Sequence, residues 1–544
     1  MAIILVLGAL VLFVIAYITY GSWLAKEWGV DPSRTTPAHE LSDGIDYVPA
    51  RPAVLLGHHF ASIAGAGPIV GPITAAVFGW VPVFLWVVIG SIFVGGVHDF
   101  GSLLASVRER GKSIGFVINK AVGTTEKKLF DIFSWLTLLL VVAAFANIIV
   151  TSFVTIPQVA TTSLLFIVLA VSFGIVNTQT KLPLWLTTIV GVALLFLCIM
   201  AGQWWPISAP REVWYLVIMA YIWIASTVPV WILLQPRDYL NSYLLYAMIA
   251  FAVIGIFLYR PTIQLEAFTS FMPSKNNFLF PMLFITIACG AVSGFHSLVS
   301  SGTTSKQVDS EKDLKLVGYG AMLIEGLLAV VSLISAAYLT QPEYLELMKG
   351  TPNNVFSTGL ATFMGTIGIP FEFGKTFVAL AISAFALTSL DTATRIGRYI
   401  FQEFWTTDEQ VEKGQTPLLS NMYVATTITV IVGGLLGWSG YAVVWPIFGS
   451  ANQLLAAMAL LAVAMWLKGQ GRNNKMIILP MIFMFAATLA ALVLLIYNHT
   501  TLLMSGEGGS IPLLLIAIAL IILAIVLVYR TWKHLTSEKT PANP

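Results

Sequence analysis

The sequence predicts an all-α polytopic membrane protein with about 15 transmembrane helices. Hydrophobic residues make up 58% of the 544-residue chain, and charged residues only 10%. A soluble globular chain carries about 25% charged residues. The apolar residues form continuous runs, which favours membrane-spanning helices over a β-barrel with alternating strands. We therefore expect a protein embedded in a lipid bilayer, and neither an enzyme nor a nucleic-acid-binding protein.

The predicted spans follow from hydropathy and from the charged residues between apolar runs. They cover residues 2–22, 52–79, 82–107, 129–157, 161–178, 182–202, 213–234, 241–259, 281–305, 314–341, 374–405, 418–437, 441–467, 476–498 and 511–533. No basic residue precedes the first run, so we interpret it as a retained span and not as a cleaved signal. The longest predicted loops cover residues 23–51, 342–373 and 405–417.

The positions of lysine and arginine predict the orientation. If the chain crosses at every span, 23 of the 28 Lys and Arg residues fall on one side. The other side holds only Arg211, Arg260, Lys275, Lys349 and Lys375. Cytoplasmic connections are enriched in positive charge. We therefore expect the C-terminus in the cytoplasm and the N-terminus outside, in a plasma or inner membrane.

One pattern, G-x-H-x5-G, occurs twice in the chain. It covers residues 57–65 and again residues 294–302, and it places His59 and His296 at its third position. The two copies lie in predicted spans 2 and 9, which run in opposite directions because an odd number of crossings separates them. Matched, interrupted spans of opposite direction are typical of transporters with inverted repeats.

Both of these spans are predicted to be interrupted. The Gly- and Pro-rich residues 64–72 cannot form a continuous helix, because proline lacks the N–H group and clashes with the preceding turn. In span 9, a run of hydroxyls over residues 300–305 surrounds Gly302. A helix that restarts after a break offers N–H groups and a positive dipole end to a carboxylate. A structural proline kink is the alternative. The candidate substrate-binding residues are His58, His59, Gly65, Ala66, Gly67, Ser293, His296, Ser300, Ser301 and Thr303.

Ionisable residues inside predicted spans are rare, and a charged residue at a helix centre costs about 2.5–3.5 kcal/mol on insertion scales. Asp99 could be a solvated charge at a helix end or a coupling residue. Asp391 lies four residues before Arg395, so the two could form an ion pair within one helix. Glu325 has no charged neighbour in the sequence. Glu325 and Asp391 are therefore favoured for coupling roles.

The histidines raise the alternative of a haem-binding respiratory subunit. Four of them fall within predicted spans, namely His58, His59, His98 and His296. His58 and His59 are adjacent and point to different helix faces, so they cannot form the shared chelate of an i, i+4 pair. We expect no cofactor and no metal site.

Six sequence blocks between about residues 50 and 460 carry a family resemblance. These blocks cover residues 57–72, 97–100, 236–241, 293–304, 389–395 and 445–454. Together they resemble the carbon starvation protein A (CstA) family. The resemblance implies an inner-membrane importer of pyruvate or short peptides, coupled to protons, in the amino acid–polyamine–organocation superfamily.

The resemblance also implies a LeuT-like inverted repeat with two discontinuous helices. The chain would then divide into a leading helix with its loop, a first core repeat, two accessory helices with a loop, a second core repeat, and two C-terminal helices with a tail. Their bounds are 1–50, 51–202, 203–280, 281–467 and 468–544. In such folds a cation often lies between the first and eighth core helices. The candidate ion-coupling residues are Asp99, Glu325, Thr388, Ser389, Asp391 and Thr392.

We expect a secondary active importer of a small carboxylate solute. A sodium-coupled symporter is an alternative to proton coupling, and a channel is a more distant alternative. The sequence does not choose between pyruvate and peptides, between H⁺ and Na⁺, or between the intramembrane acids as the coupling site. It also leaves the oligomeric state open.

Overall fold

Helices provide the regular secondary structure of the part of the chain that the structure describes. The computed structural model describes residues 1–43, 47–121, 123–180, 182–229, 232–349, 351–406, 417–438, 440–505 and 510–536. The first twelve α-helices are α1 (Ala2–Ile18), α2 (Tyr20–Glu27), α3 (Pro37–Glu40), α4 (Pro52–Ala64), α5 (Gly67–Ala75), α6 (Trp80–Gly90), α7 (Gly96–Arg108), α8 (Ile114–Ala121), α9 (Thr124–Thr155), α10 (Pro157–Gln179), α11 (Leu184–Trp204) and α12 (Arg211–Thr227).

The second half of the chain continues the helical pattern. Its helices are α13 (Leu234–Tyr259), α14 (Leu279–Thr286), α15 (Ala288–Ala291), α16 (Gly294–Gly302), α17 (Ala321–Ala337), α18 (Gln341–Met348), α19 (Pro352–Gly365), α20 (Phe371–Trp405), α21 (Met422–Gly437), α22 (Tyr441–Gly469), α23 (Lys475–Ser505) and α24 (Ile511–Thr536). Two π-helical segments, Ser91–Gly95 and Lys315–Gly320, lead directly into α7 and α17.

Some sequence predictions fall outside the described residues. They include most of the loop predicted at 405–417 and the last residues of the predicted C-terminal tail. Lys181, Lys413 and Lys539, which contribute to the predicted orientation, also lie outside the described ranges.

The prediction of an all-α polytopic membrane protein is confirmed. Within the described ranges, eleven helices are long and apolar enough to cross a membrane, or twelve if α4 and α5 count as one bent span. The predicted spans 213–234, 281–305 and 418–437 correspond to shorter helices. These are the 17-residue α12, the three short helices α14 to α16, and the 16-residue α21. Helix length and hydropathy therefore support eleven or twelve spans.

The most apolar helices are not the most buried ones. The apolar part of α22 is completely buried, and that of α9, α17 and α20 is almost completely buried. In contrast, most residues in the apolar parts of α1, α11, α23 and α24 are not buried. The exposed side chains on these outer helices include Ile4, Ile189, Leu479 and Leu515. A helix that is apolar all round suits a lipid environment. The polar side chains considered below are therefore carried mainly by the inner helices.

The predicted interruption of span 2 is confirmed. α4 ends at Ala64 and α5 begins at Gly67, and the two helices are bent by 43°. Gly65 has φ +44° and ψ −150°, a conformation that L-residues rarely adopt. A Cβ atom at this position would also lie 2.8 Å from Oγ of Ser389. Pro68 is accommodated because it lies in the first turn of α5.

Span 9 is also interrupted, but not where the sequence analysis placed the break. Val292 and Ser293 are extended, so the break precedes His296. The predicted run of hydroxyls instead begins inside α16, which continues to Gly302. Within this helix the Ser301 hydroxyl donates to the Ser297 carbonyl.

The two interrupted segments pack against each other. α15 contacts α5, and α16 contacts α4. A Cβ atom on Gly67 would lie 2.5 Å from both Cβ and Sγ of Cys289, so this approach leaves no room for a side chain. Glycine at position 67 thus allows the start of α5 to lie directly on α15.

Candidate functional site

Four ionisable side chains form a continuous buried chain in the protein interior. Nδ1 of His98 lies 2.7 Å from Oδ1 of Asp99, and Nδ1 of His296 lies 2.8 Å from Oδ2 of the same carboxylate. Nε2 of His296 lies 3.5 Å from Oε2 of Glu325. All four side chains are fully buried, so the alternative in which Asp99 is a solvated helix-end charge is wrong. We call this set the histidine–carboxylate chain.

The helices that carry the two carboxylates share an unusual local structure. α7 and α17 each begin directly after a π-helical segment. The hydroxyl of Tyr319, in one π-helical segment, donates to the carbonyl of Ile92 in the other at 3.1 Å. Short π-helical segments occur frequently at functional sites. The two acid-bearing helices thus start from segments that are bonded to each other.

The two histidines of the repeated motif both lie in this buried region. His296 belongs to the histidine–carboxylate chain. Nδ1 of His59 lies 2.8 Å from Oγ1 of Thr304, just after the end of α16. The motif copy in α4 is therefore hydrogen-bonded to the segment that follows the copy in α16.

The predicted backbone site surrounds the break between α4 and α5. Gly65 and Ala66 form the connection, and Gly67 is the first residue of α5. The hydroxyl of Ser389 in α20 donates to the carbonyl of Ser62 at 3.1 Å. This bond ties the end of α4 to α20 directly beside the break.

The predicted hydroxyls of span 9 have different environments. The Ser301 hydroxyl donates to the Ser297 carbonyl at 2.7 Å, and the Thr303 hydroxyl donates to the Val299 carbonyl at 3.1 Å. The Ser300 hydroxyl is buried and has no hydrogen-bond partner among the described residues. Of these three hydroxyls, the one on Ser300 can therefore form a hydrogen bond to a solute.

Ser293 is engaged by an asparagine that the sequence analysis did not select. Oδ1 of Asn452 in α22 accepts from the Phe295 amide at 2.9 Å, and its Nδ2 donates to the Ser293 hydroxyl at 3.1 Å. The side-chain amide of Gln453 donates to the carbonyl of Val292 at 3.0 Å. Two consecutive amide side chains therefore satisfy the backbone and hydroxyl groups at the break in span 9.

The histidine–carboxylate chain leaves several polar atoms without partners. In the part of the chain that the structure describes, no hydrogen bond reaches Nε2 of His59, His98 or His296, or either carboxylate oxygen of Glu325. Buried polar atoms are hydrogen-bonded in the great majority of cases, and each exception calls for an explanation. A site that binds and releases protons or polar solutes would explain these unpartnered atoms.

A second buried cluster surrounds Arg237, at the start of α13. Its guanidinium group forms an ion pair with Asp391 of α20 and bonds to Asp238 at 2.8 Å. It also donates to the hydroxyl of Tyr221 at 2.7 Å, and this hydroxyl donates to Asp391 at 2.9 Å. Arg237 and the two aspartates are fully buried. We call this set the arginine cluster.

The arginine cluster corrects two sequence predictions. Asp391 is paired with Arg237 from another helix and not with Arg395, whose guanidinium donates to the carbonyls of Ala225 and Val228. Arg237, Arg395 and Arg398 were counted among the connections of the predicted topology, yet all three are buried. These three arginines bind partners inside the protein. Their positions therefore carry little information on how the chain is oriented in the membrane.

The remaining ion-coupling candidates lie near this second cluster. The Thr388 hydroxyl donates to Oδ1 of Asp238 at 3.1 Å, and Thr392 is buried one turn further along α20. Nδ1 of His58 lies 3.5 Å from Oδ2 of Asp238. The predicted coupling residues are thus divided between two clusters. Within the described ranges, no group of three or more His, Cys, Asp or Glu is arranged to hold a metal ion.

The sequence-based candidates omitted Tyr221, Arg237 and Asp238 of the arginine cluster. They also omitted Asn452 at the break in span 9. The signal for Arg237 and Asp238 was an adjacent opposite-charge pair at the very start of an apolar run. Tyr221 and Asn452 carry no charge, and their roles depend on partners 170 and 159 positions away.

The comparisons with known proteins agree on one family. The family model described as "Carbon starvation protein CstA" matches residues 1–352 and 346–491. The chain is 33% identical to the peptide transporter CstA of Campylobacter jejuni, over 90% of this chain and 79% of the relative. It is 32% identical to the peptide transporter CstA of Bacillus subtilis, over 85% and 84%. It is 30% identical to the pyruvate/proton symporter BtsT of Escherichia coli, over 84% and 76%.

The fold is also found among solved structures. A manganese transporter of Eremococcus coleocola superposes with a TM-score of 0.52 at 14% identity, over 91% of this chain and 99% of the other. At this identity the likeness concerns the fold alone. Together with the sequence matches and the apolar helices, these findings show that the chain is a membrane transporter belonging to the carbon starvation protein CstA family.

Proposed function

We propose that the chain is a proton-coupled importer of a small carboxylate solute, either pyruvate or a short peptide. The relatives named above as a pyruvate/proton symporter and as peptide transporters support this solute class. The observation that carries the proposal is the position of His296, whose two ring nitrogens face the carboxylates of Asp99 and Glu325.

A histidine between two buried carboxylates suits proton transfer. Imidazole can accept a proton at one nitrogen and release it from the other, and intramembrane His, Asp and Glu mark proton relays. His296 lies in α16, directly after the break of span 9, so movement of this segment changes its distance to both acids. A proton on this chain would thus be linked to the conformation of the break.

The solute is proposed to bind where the two breaks meet. The first turn of α5, beginning at Ala66 and Gly67, presents a positive dipole end, which favours a carboxylate. The buried Ser300 hydroxyl and the Nε2 atoms of His59 and His296 are available for further hydrogen bonds. In this proposal Gly65 permits the turn, while the remaining candidates Ser293, Ser301 and Thr303 shape the second segment.

Proton coupling is favoured over sodium coupling by the state of Asp391. This residue was the proposed sodium ligand, together with Thr388, Ser389 and Thr392. Its carboxylate is paired with a buried guanidinium, and a cation at the same oxygens would be repelled by that positive charge. The coupling role therefore passes to Asp99 and Glu325.

The proposed topology retains the LeuT-like inverted repeat and the fifteen crossings. The repeats would cover 51–202 and 281–467, with the accessory regions 1–50, 203–280 and 468–544 around them. The three shorter helical segments would then also cross the plasma membrane. The N-terminus would lie outside and the C-terminus in the cytoplasm. Labelling of single cysteines at positions 275 and 470 with an impermeant maleimide, in intact cells and in inverted membrane vesicles, tests this orientation.

Uptake by purified protein in liposomes tests the function. We expect saturable uptake of labelled pyruvate or of a labelled dipeptide, accelerated by an inward proton gradient and unchanged when Na⁺ replaces K⁺. Uptake that does not saturate and ignores the gradient would indicate a channel. Uptake that requires Na⁺ would reject proton coupling.

A matched pair of variants tests the site. His296→Gln should abolish gradient-driven uptake, because the amide cannot carry a proton between the acids. His499→Gln, in the outer helix α23, removes a histidine far from the breaks in sequence and should leave uptake unchanged. Normal kinetics of His296→Gln would remove this residue from the coupling site.

A further inference from the structure

A separate cavity lies beside the arginine cluster. It has a volume of about 230 Å³ and is lined by residues of α4, α10 and α13 and by two peripheral segments. Its polar lining residues are His58, Asn177, Tyr239 and Gln307. The histidine–carboxylate chain contributes none of the residues that line it.

His58 connects this cavity to the arginine cluster. Its side chain lines the cavity on one side, and its Nδ1 lies 3.5 Å from Oδ2 of Asp238 on the other. Neither ring nitrogen has a hydrogen-bond partner among the described residues, and the side chain is only 12% exposed. An almost buried imidazole with no partner, on a cavity wall, is available to a ligand.

The carboxylate of Asp238 lacks a hydrogen-bond partner on the side that faces His58, because no donor among the described residues reaches its Oδ2. Asp238 and Asp391 share the single guanidinium of Arg237. Arg395 and Arg398, on the same helix as Asp391, donate instead to the carbonyls of residues 225–228. Burial of an uncompensated carboxylate is costly.

An imidazolium at position 58 would supply Oδ2 of Asp238 with the N–H donor that it lacks. It would place a positive charge on the wall of the cavity. The remaining polar groups of the lining are neutral, and the rest are apolar, among them Val54 and Phe173. His59, the adjacent residue, faces Thr304 on the other side of α4. A small site with one positive group, a few neutral polar groups and apolar walls suits an organic anion.

We propose that this cavity is a second binding site for a small monocarboxylate, recognised by the imidazolium of His58. The inference rests on the proposed function, because it takes the transported solute as its ligand. The volume lies below the roughly 300–1,000 Å³ of pockets for drug-sized ligands, so the site suits a solute of pyruvate size. Binding here also places the solute anion against the group that balances Asp238.

Binding stoichiometry of the purified full chain tests the inference, with labelled pyruvate as the probe in equilibrium dialysis. The wild type should bind two pyruvates per chain. His58→Ala should bind one, since it removes the positive group. Val54→Trp should also bind one, since it fills the cavity and leaves every charged residue in place.

The outcomes separate this inference from the proposed function. Wild type that transports pyruvate but binds one per chain would overturn the second site and leave the function standing. Two bound pyruvates in both variants would also overturn it. Wild type that neither binds nor transports pyruvate or a dipeptide would reject the proposed function itself. If His58→Ala does not fold, Val54→Trp alone decides the result.

Discussion

Nδ1 of His296 lies 2.8 Å from Oδ2 of Asp99, although the two residues are 197 positions apart in the chain. The contact joins α16, which follows a break, to α7, which is continuous with a π-helical segment. Both side chains are fully buried. Any movement of α16 relative to α7 must therefore change a hydrogen bond that involves an ionisable pair.

Asp99→Asn should uncouple transport from protons. The amide preserves size and one acceptor for His296, but it cannot be negatively charged. We expect uphill uptake driven by a proton gradient to fall to the level of empty liposomes. Exchange of external labelled solute for internal unlabelled solute should persist, because exchange requires no net proton movement.

Ser102→Ala is the matched control for that variant. Ser102 lies in the same helix, is fully buried, and its hydroxyl has no partner among the described residues. Its removal should leave both gradient-driven uptake and exchange intact. Unchanged gradient-driven uptake in Asp99→Asn would contradict a coupling role for the carboxylate.

The second glycines of the two motif copies, Gly65 and Gly302, should respond differently to alanine. Gly65 has positive φ, and a Cβ there would lie 2.8 Å from Oγ of Ser389. An L-residue held in such a sparsely populated backbone region costs roughly 1–3 kcal/mol, to which this overlap adds. Gly302→Ala places its Cβ 3.5 Å from Ile396, an ordinary contact. Thermal unfolding in detergent should therefore show a clear loss of stability for Gly65→Ala and little change for Gly302→Ala.

Arg237→Gln should destabilise the protein strongly. It leaves the carboxylates of Asp238 and Asp391 buried without their guanidinium partner, and breaking a buried ion pair costs about 3–5 kcal/mol. The double variant with Asp391→Asn should recover part of the loss. Lys349→Ala removes one member of an exposed pair with Glu346 and should have no measurable effect. Fluorescence-detected size-exclusion after heating measures all three variants. Equal stability of Arg237→Gln and wild type would show that the pair contributes little.

Asn452→Ala should loosen the break in span 9. It leaves the Phe295 amide and the Ser293 hydroxyl without this partner, and an unsatisfied buried group costs about 1–3 kcal/mol. We expect lower stability and a higher KM for uptake, since the break is part of the proposed solute site. Gln470→Ala, which removes an exposed amide side chain just after the end of α22, serves as control. A normal KM together with reduced stability would assign Asn452 a purely structural role.

The sequence located the membrane-embedded acids and the motif histidines because such residues are costly in apolar runs and therefore conspicuous. It also located the break at residues 64–68, since glycine and proline act locally. It misplaced the break in span 9, where Asn452 and Gln453 from α22 stabilise extended backbone at Val292 and Ser293. That stabilisation depends on a helix about 160 positions away, which no local pattern reveals.

Arg237 shows the same limitation for charge. Because Arg237 lies next to a predicted span boundary, the sequence predicts a loop residue. Its burial is explained by its ion pair with Asp391 from α20. Hydropathy likewise identified the apolar runs, but it did not predict how many residues of each run are helical. As a result α12, α21 and the segments α14 to α16 are shorter than the spans predicted for them.

The close approach of Gly67 to Cys289 has a practical consequence. The thiol of Cys289 is covered by the start of α5, so a maleimide can reach it only when the two broken segments separate. Cys198, the other cysteine, is half-buried in the outer helix α11 and can be replaced by serine. In that background the alkylation rate of the native Cys289 would report how often the centre of the protein opens, without any introduced label.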